Sequence, residues 1–240
     1  MIRISLCFIF VLIVFLITLP FSLISFLVGR FNKRFQYRFG YLILSPLSKV
    51  FYKINGAKLT VTGQEFIPKD ETVLFVGNHR SFIDIPLLLG FTNRPVAFVA
   101  KESLKKTPMI NFWMFQIGCL FLDRTNLRKG VATIKEGIQM LKDGHTLVVF
   151  PEGTRSLTAE LLPFKPGSLK LATKSRVRVV PFAIKGTDDV FENNGTKFRP
   201  APVSLSFGEP IDLHTLESDA TIDSTDYVKK TIEDLRSRMK

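Results

Sequence analysis

The chain opens on a long apolar stretch: 26 residues without a charge lie between Arg3 and Arg30. A membrane-spanning helix needs about 20 apolar residues, so the stretch is long enough. Pro20 interrupts it. Ile4 to Leu19 alone gives about 24 Å of helix against a hydrocarbon core of about 30 Å. The pattern predicts either one kinked helix through the bilayer or two helices that dip into one leaflet and return. No small-residue cleavage site closes the stretch, which argues against a removed signal peptide. Residues Tyr41 to Tyr52 then read as an amphipathic connector.

From Lys58 onward, short apolar strands alternate with helices. Strands are predicted over Thr72 to Val76, Val96 to Ala100, Cys119 to Leu122, Thr146 to Phe150, Val177 to Ile184 and Val203 to Phe207. The clearest helix runs from Leu127 to Lys142, with Leu127, Val131, Ile134, Ile138 and Leu141 on one face. Asn126 is its expected cap, and Gly144 follows its end. Shorter helices are expected over Ile83 to Leu89, Pro108 to Gln116 and Ser168 to Lys174, and Tyr227 to Met239 closes the chain in helical register. The fold class is therefore α/β, a mixed sheet covered by helices, behind an N-terminal apolar helical membrane segment. Residues 1–57 form that segment and 58–240 the α/β domain.

Composition sharpens this picture. The net charge of +12 is uneven: no acidic residue precedes Glu65, and the first 64 residues carry eight cations. Basic residues beside an apolar segment favour an anionic membrane surface, each contributing about 1 kcal/mol near it. Those from Arg30 onward place that end, and the domain behind it, on the cytoplasmic side of the cell membrane. No nucleic-acid motif appears, so nucleic acid is not the expected partner. Cys7 and Cys119 are the only cysteines, both in apolar surroundings, and read as small buried residues rather than a disulfide framework.

Chemistry concentrates in two clusters that each follow a strand. Asn78-His79-Arg80-Ser81-Phe82-Ile83-Asp84 sets a possible base five positions before a carboxylate. A neutral imidazole takes a proton from an attacking hydroxyl near pH 7, and a carboxylate on its other nitrogen fixes the tautomer. Asp84 reaches His79 only if the backbone bends, with His79 in the turn and Asp84 in the first helical turn. The competing structural reading is a capping box, Ser81 capping the helix and Asp84 returning the bond. In Glu152-Gly153-Thr154-Arg155, Gly153 lets backbone approach a ligand and Arg155 can grip a phosphate bidentately; the plain alternative is a solvated turn. Arg124 closes Gly118 to Arg124, where a surface Asp–Arg pair is the alternative. Lys101, just past a strand, is a further possible phosphate contact. His145 and His214 read as structural. No His/Cys/Asp/Glu cluster has metal-ligand spacing, so no metal is expected.

The blocks Asn78 to Asp84, Gly118 to Arg124, Phe150 to Arg155 and Val180 to Ile184 stand in the order typical of the glycerolipid acyltransferases. The chain resembles that family from about Lys58 to Phe207, and its bacterial 1-acylglycerol-3-phosphate acyltransferases most of all. The resemblance implies transfer of an acyl chain to the 2-hydroxyl of lysophosphatidic acid, giving phosphatidic acid. By it, His79 is the general base and Asp84 orients it. Arg124 and Arg155 hold the acceptor phosphate, Glu152 and Gly153 shape its site, and Lys101 adds to it. The donor is a thioester on coenzyme A or acyl carrier protein, a substrate rather than a cofactor, and membrane lipids are the surroundings. The rival readings are an acyltransferase for another lysolipid, thioester hydrolysis by water, and a non-catalytic membrane-binding homologue. Oxyanion donors are expected among the backbone amides of the first or third block.

Overall fold

The structure is a computed structural model that describes residues 2–239 except 157, 159, 166, 196 and 218–222. The N-terminal apolar stretch is one helix, α1 (Ile2–Val28), with Pro20 inside it. At 27 residues it is about 40 Å long, more than a hydrocarbon core, and its mean hydropathy reaches 2.9 with almost none of that stretch buried. By length and composition it suits a membrane. Proline costs a helix one backbone bond and a clash, and here packing along a second helix offsets that cost. Helix α2 (Lys33–Asn55) runs back beside α1: Arg3 Nη1 donates to the Asn55 carbonyl at 3.1 Å, and at the other end Gly29 lies against Gln36. The residues read as an amphipathic connector are thus the second half of a longer helix. Asn32 starts it, its side chain accepting the Phe35 amide at 2.9 Å, and Gly56 ends it in the left-handed conformation.

Seven strands follow: β1 (Lys58–Thr62), β2 (Val73–Gly77), β3 (Ala97–Lys101), β4 (Leu120–Leu122), β5 (Leu147–Val149), β6 (Arg178–Lys185) and β7 (Pro202–Phe207). They form one mixed sheet in the order β1-β7-β6-β2-β5-β3-β4. Only β6 and β7 pair antiparallel. Six of these strands fall where the alternation placed them, within a residue or two at most ends. β1 is additional: it is an edge strand whose Lys58, Thr60 and Thr62 are exposed, so it carries little apolar signal. Between strands run α3 (Asp84–Phe91), α4 (Ile110–Gln116), α5 (Leu127–Lys142), α6 (Lys170–Ser175), α7 (Thr187–Val190), α8 (Leu213–Glu217) and α9 (Ser224–Ser237). His214 lies on α8, its Nε2 3.1 Å from the Thr173 carbonyl.

Strand alternation builds a core on each face. Along β2, Val73 and Phe75 join Tyr52, Leu87 and Leu88 beneath α2 and α3, while Leu74 and Val76 join Leu141, Leu171 and Ile232 beneath α5, α6 and α9. Burial on both faces is why β2 reads as a continuous apolar stretch. The expected apolar face of α5 is buried only at its C-terminal end. Leu127 and Val131 are exposed, although the start of α5 lies beside β4, Thr133 donating to the Phe121 carbonyl. Cys7 and Cys119 are both free and buried. Hydrogen bonds tie α4 to the helical hairpin: Gln116 donates to the Ser22 carbonyl and Gln36 to that of Phe115.

Candidate active site

Parallel pairing sends the C-terminal ends of β2, β5, β3 and β4 to one edge of the sheet. In open α/β sheets, side chains placed at that edge line the ligand crevice. Val76 pairs with Val149, so the residues after β2 and β5 emerge side by side. The His79 ring stacks on Phe150 at 4.0 Å between centroids, with 16° between planes. Backbone between β2 and α3 bends as the pairing of His79 with Asp84 requires. Nδ1 of His79 lies 2.7 Å from Oδ2 of Asp84, which is fully buried. The same oxygen accepts the amides of Arg80 at 2.7 Å and Ser81 at 2.9 Å. Contact with the carboxylate and return of the Ser81 amide bond to Asp84 therefore coexist, but the capping box is only half formed: Ile83 is the N-cap, and the Asp84 amide goes to the Ser81 carbonyl rather than to its hydroxyl. Ser81 Oγ accepts the Ile83 amide but donates to Glu192 at 2.6 Å.

Carboxylates from three separate segments hold this loop. Glu152 accepts the His79 amide at 3.2 Å and the Leu162 amide at 2.8 Å. Glu192 accepts the Phe82 amide at 2.9 Å. Every backbone N–H from His79 to Asp84 is thereby engaged, the last two by Ser81. The amides of residues 79–84 are thus committed to acceptors within the protein. In the third block the amides of Thr154 and Arg155 have no acceptor among the described residues. Asn78 anchors the loop from below: its amide group exchanges two 2.8 Å bonds with the backbone of Ile184. Burial pushes the Glu152 carboxyl above its ordinary value, against the pull of the amides it accepts.

Gly153 has φ of +73°, the left-handed region that favours glycine. A Cβ there would stand 3.9 Å from the Arg124 guanidinium carbon and 3.2 Å from the Lys165 side chain. Arg124 and Lys165 thus meet over a bare backbone, an arrangement that suits an oxyanion. Burial lowers the Arg124 pKa. Arg155 faces elsewhere, with Nη1 3.0 Å from Glu192 Oε1 and its guanidinium 3.8 Å over the Phe82 ring. Lys101 ends β3 in register with Leu122, but its side chain is exposed, with no hydrogen bond or ion pair among the described residues. Sequence reasoning missed Glu192, Lys165 and Arg236. Arg236 on α9 acts electrostatically on Glu152 and Arg80, though it follows the family blocks by more than 40 residues. None of these three sits in a motif, so no local signal marks it.

Fold and edge define the class first: an α/β protein with a histidine–carboxylate pair and converging cations at the C-terminal ends of parallel strands. Comparison with known proteins gives the family. Residues 58–185 match the family model described as Acyltransferase. The 1-acyl-sn-glycerol-3-phosphate acyltransferase of Borreliella burgdorferi is 32% identical over 65% of this chain and 63% of its own. A probable enzyme of the same name from Mycoplasma pneumoniae is 39% identical over 59% of this chain and 54% of its own. The chain spans between about half and just under two thirds of these curated relatives. A crystal structure of the 1-acyl-sn-glycerophosphate (LPA) acyltransferase PlsC from Thermotoga maritima superposes with a TM-score of 0.75 at 31% identity, covering 99% of both chains. This chain belongs to the acyltransferase family.

Proposed function

We propose that the protein transfers an acyl chain from a thioester to the 2-hydroxyl of lysophosphatidic acid, forming phosphatidic acid. The observation that carries this reading is the 2.7 Å contact of His79 with buried Asp84, in a chain of the acyltransferase family. Asp84 accepts from Nδ1–H, which leaves Nε2 as the basic nitrogen. As the acceptor hydroxyl oxygen attacks the thioester carbonyl carbon, Nε2 takes its proton. When the carbon–sulfur bond breaks, the same nitrogen returns the proton to the departing sulfur. Charge on the carbonyl oxygen passes to donors outside residues 79–84, the amides of Thr154 and Arg155 being free to serve.

Arg124 and Lys165 over Gly153 support a site for the acceptor phosphate, while Arg155, turned toward Glu192, and exposed Lys101 are further cations proposed for it. Glu152 holds the His79 amide and shapes the loop. Coenzyme A or acyl carrier protein brings the donor chain, and the reaction described needs no metal. Helix α1 keeps the domain at the cell membrane, where lipid substrate and product reside. The cations from Arg30 onward favour the cytoplasmic face.

The test is phosphatidic acid formation from lysophosphatidic acid and an acyl thioester, wild type beside His79→Ala. Product from wild type alone supports the reading. Equal product from both removes His79 from the reaction, and product only with a phosphate-free acceptor moves the site to another lysolipid. Free acid without acceptor marks a hydrolase, and membrane binding without turnover a non-catalytic homologue.

A further inference from the structure

A second cavity, of about 600 Å³, opens at the opposite edge of the sheet, where β3 and β5 begin, against the first half of α2. Its charged lining is Arg34 and Arg38 from α2, Lys69 from the loop before β2, and Arg94 from the turn before β3. Tyr37 and His145 add two rings packed edge to face, their centroids 5.0 Å apart. No Asp or Glu lines it; Asp143, Glu136 and Glu71, felt electrostatically by His145, Tyr37 and Arg94, lie outside the lining. Cations gathered around one hollow repel each other, and an anion relieves that cost.

Elsewhere in the molecule such cations find carboxylates: Arg178 pairs with Glu71, Arg80 with Asp188, Arg155 with Glu192. Arg34, Arg38 and Lys69 have no ion-pair partner among the described residues. Arg94 spends both terminal nitrogens on the carbonyls of Pro68 and Glu71, at 2.7 Å each, while its buried Nε–H has no acceptor. Gly144 makes room for the cluster: Arg34 Nη2 lies 2.9 Å from where a Cβ would stand. Apolar surface adjoins the basic lining. Leu42 lines the cavity and is two-thirds exposed, and Phe35 and Phe31 are bare on the same end of the helical hairpin. A free phosphate gains nothing from that surface, whereas a lipid uses both parts.

We propose that this cavity binds the phosphate of an anionic membrane phospholipid, whose acyl chains run out over Leu42 and Phe35. It is an attachment point separate from the catalytic edge. It requires the hairpin to meet a membrane but not the acyl-transfer reading.

Calorimetric titration of the full chain in non-ionic detergent micelles, with phosphatidylglycerol or phosphatidylcholine as probe, tests this. Phosphatidylglycerol binds saturably, and Arg34→Ala/Arg38→Ala weakens it by about 30-fold, the scale of two cations near an anionic lipid. The exposed Lys69→Gln weakens it to a lesser degree and keeps the test open if the double variant does not fold. Lys49→Ala/Lys53→Ala removes the same charge from the far half of α2 and leaves the affinity unchanged. His79→Ala also leaves it unchanged, which separates this cavity from the catalytic edge. Equal loss in the Lys49/Lys53 control, or equal binding of phosphatidylcholine, overturns the proposal. Complete displacement of phosphatidylglycerol by inorganic phosphate, with no contribution from the chains, overturns it in favour of a free anion.

Discussion

Glu192 Oε1 stands 3.0 Å from Arg155 Nη1 and also accepts the Phe82 amide, so one carboxylate joins the first and third blocks across more than 100 residues of chain. The same guanidinium lies over the Phe82 ring. Glu192→Ala is expected to free both partners and raise the KM for the acceptor several-fold, with kcat changed by less than about threefold, since uniform binding is lost. Steady-state kinetics in mixed micelles decide it. A fall in KM would show instead that Glu192 competes with the acceptor for Arg155.

Asp84→Asn keeps the side chain's shape but loses the negative acceptor that fixes the His79 tautomer. Turnover should fall by about 10²–10⁴, the scale of general-base assistance. Equilibrium binding of lysophosphatidic acid should hold. Turnover unchanged within twofold would remove Asp84 from the orienting role.

Asn78→Ala should destabilise the fold by about 2–6 kcal/mol. It leaves the buried amide and carbonyl of Ile184 without partners, and each unsatisfied group costs about 1–3 kcal/mol. Chemical denaturation in detergent measures this, with Asn78→Asp as the variant that keeps one acceptor.

Phe150 supports His79 by stacking and packs on Phe182 with rings 5.9 Å apart. Phe150→Leu roughly preserves volume, so stability should drop by less than about 1.5 kcal/mol. Turnover should drop about tenfold, because the imidazole loses the plane that fixes its tilt. Loss of stability without loss of turnover would confine Phe150 to packing.

Glu152 supplies a pH dependence with a definite sign. Burial raises its folded pKa above the ordinary glutamate value, so the folded protein binds the proton more tightly than the unfolded chain. Its stability contribution is complete below the unfolded pKa and is lost as pH rises through the folded value. The stability of wild type relative to Glu152→Gln should therefore increase as pH is lowered from neutrality toward the ordinary glutamate range. The comparison cancels other titrating groups, and a difference that shrinks over that window would contradict the assignment.

Much of the fold was legible because periodicity is a short-range property. The apolar stretch before Arg30, the two-sided burial of β2 and the helical face of Ile134, Ile138 and Leu141 follow from side-chain spacing alone. Edge strand β1 was not legible, since alternating exposed residues resemble a loop. Nor was the exposure of Leu127 and Val131, which depends on what the start of α5 packs against.

The candidate site divides along the same line. His79, Asp84, Glu152 and Gly153 lie in contiguous motifs beside strand ends, and local sequence determined that they sit at one sheet edge. Which carboxylate takes which amide, the meeting of Arg124 with Lys165, and the turning of Arg155 toward Glu192 were decided only by tertiary structure. The same holds for the basic cavity, whose residues come from five separated segments. The reason is the strand order: β5 inserts between β2 and β3, bringing together segments some 70 residues apart, and no local pattern encodes that insertion.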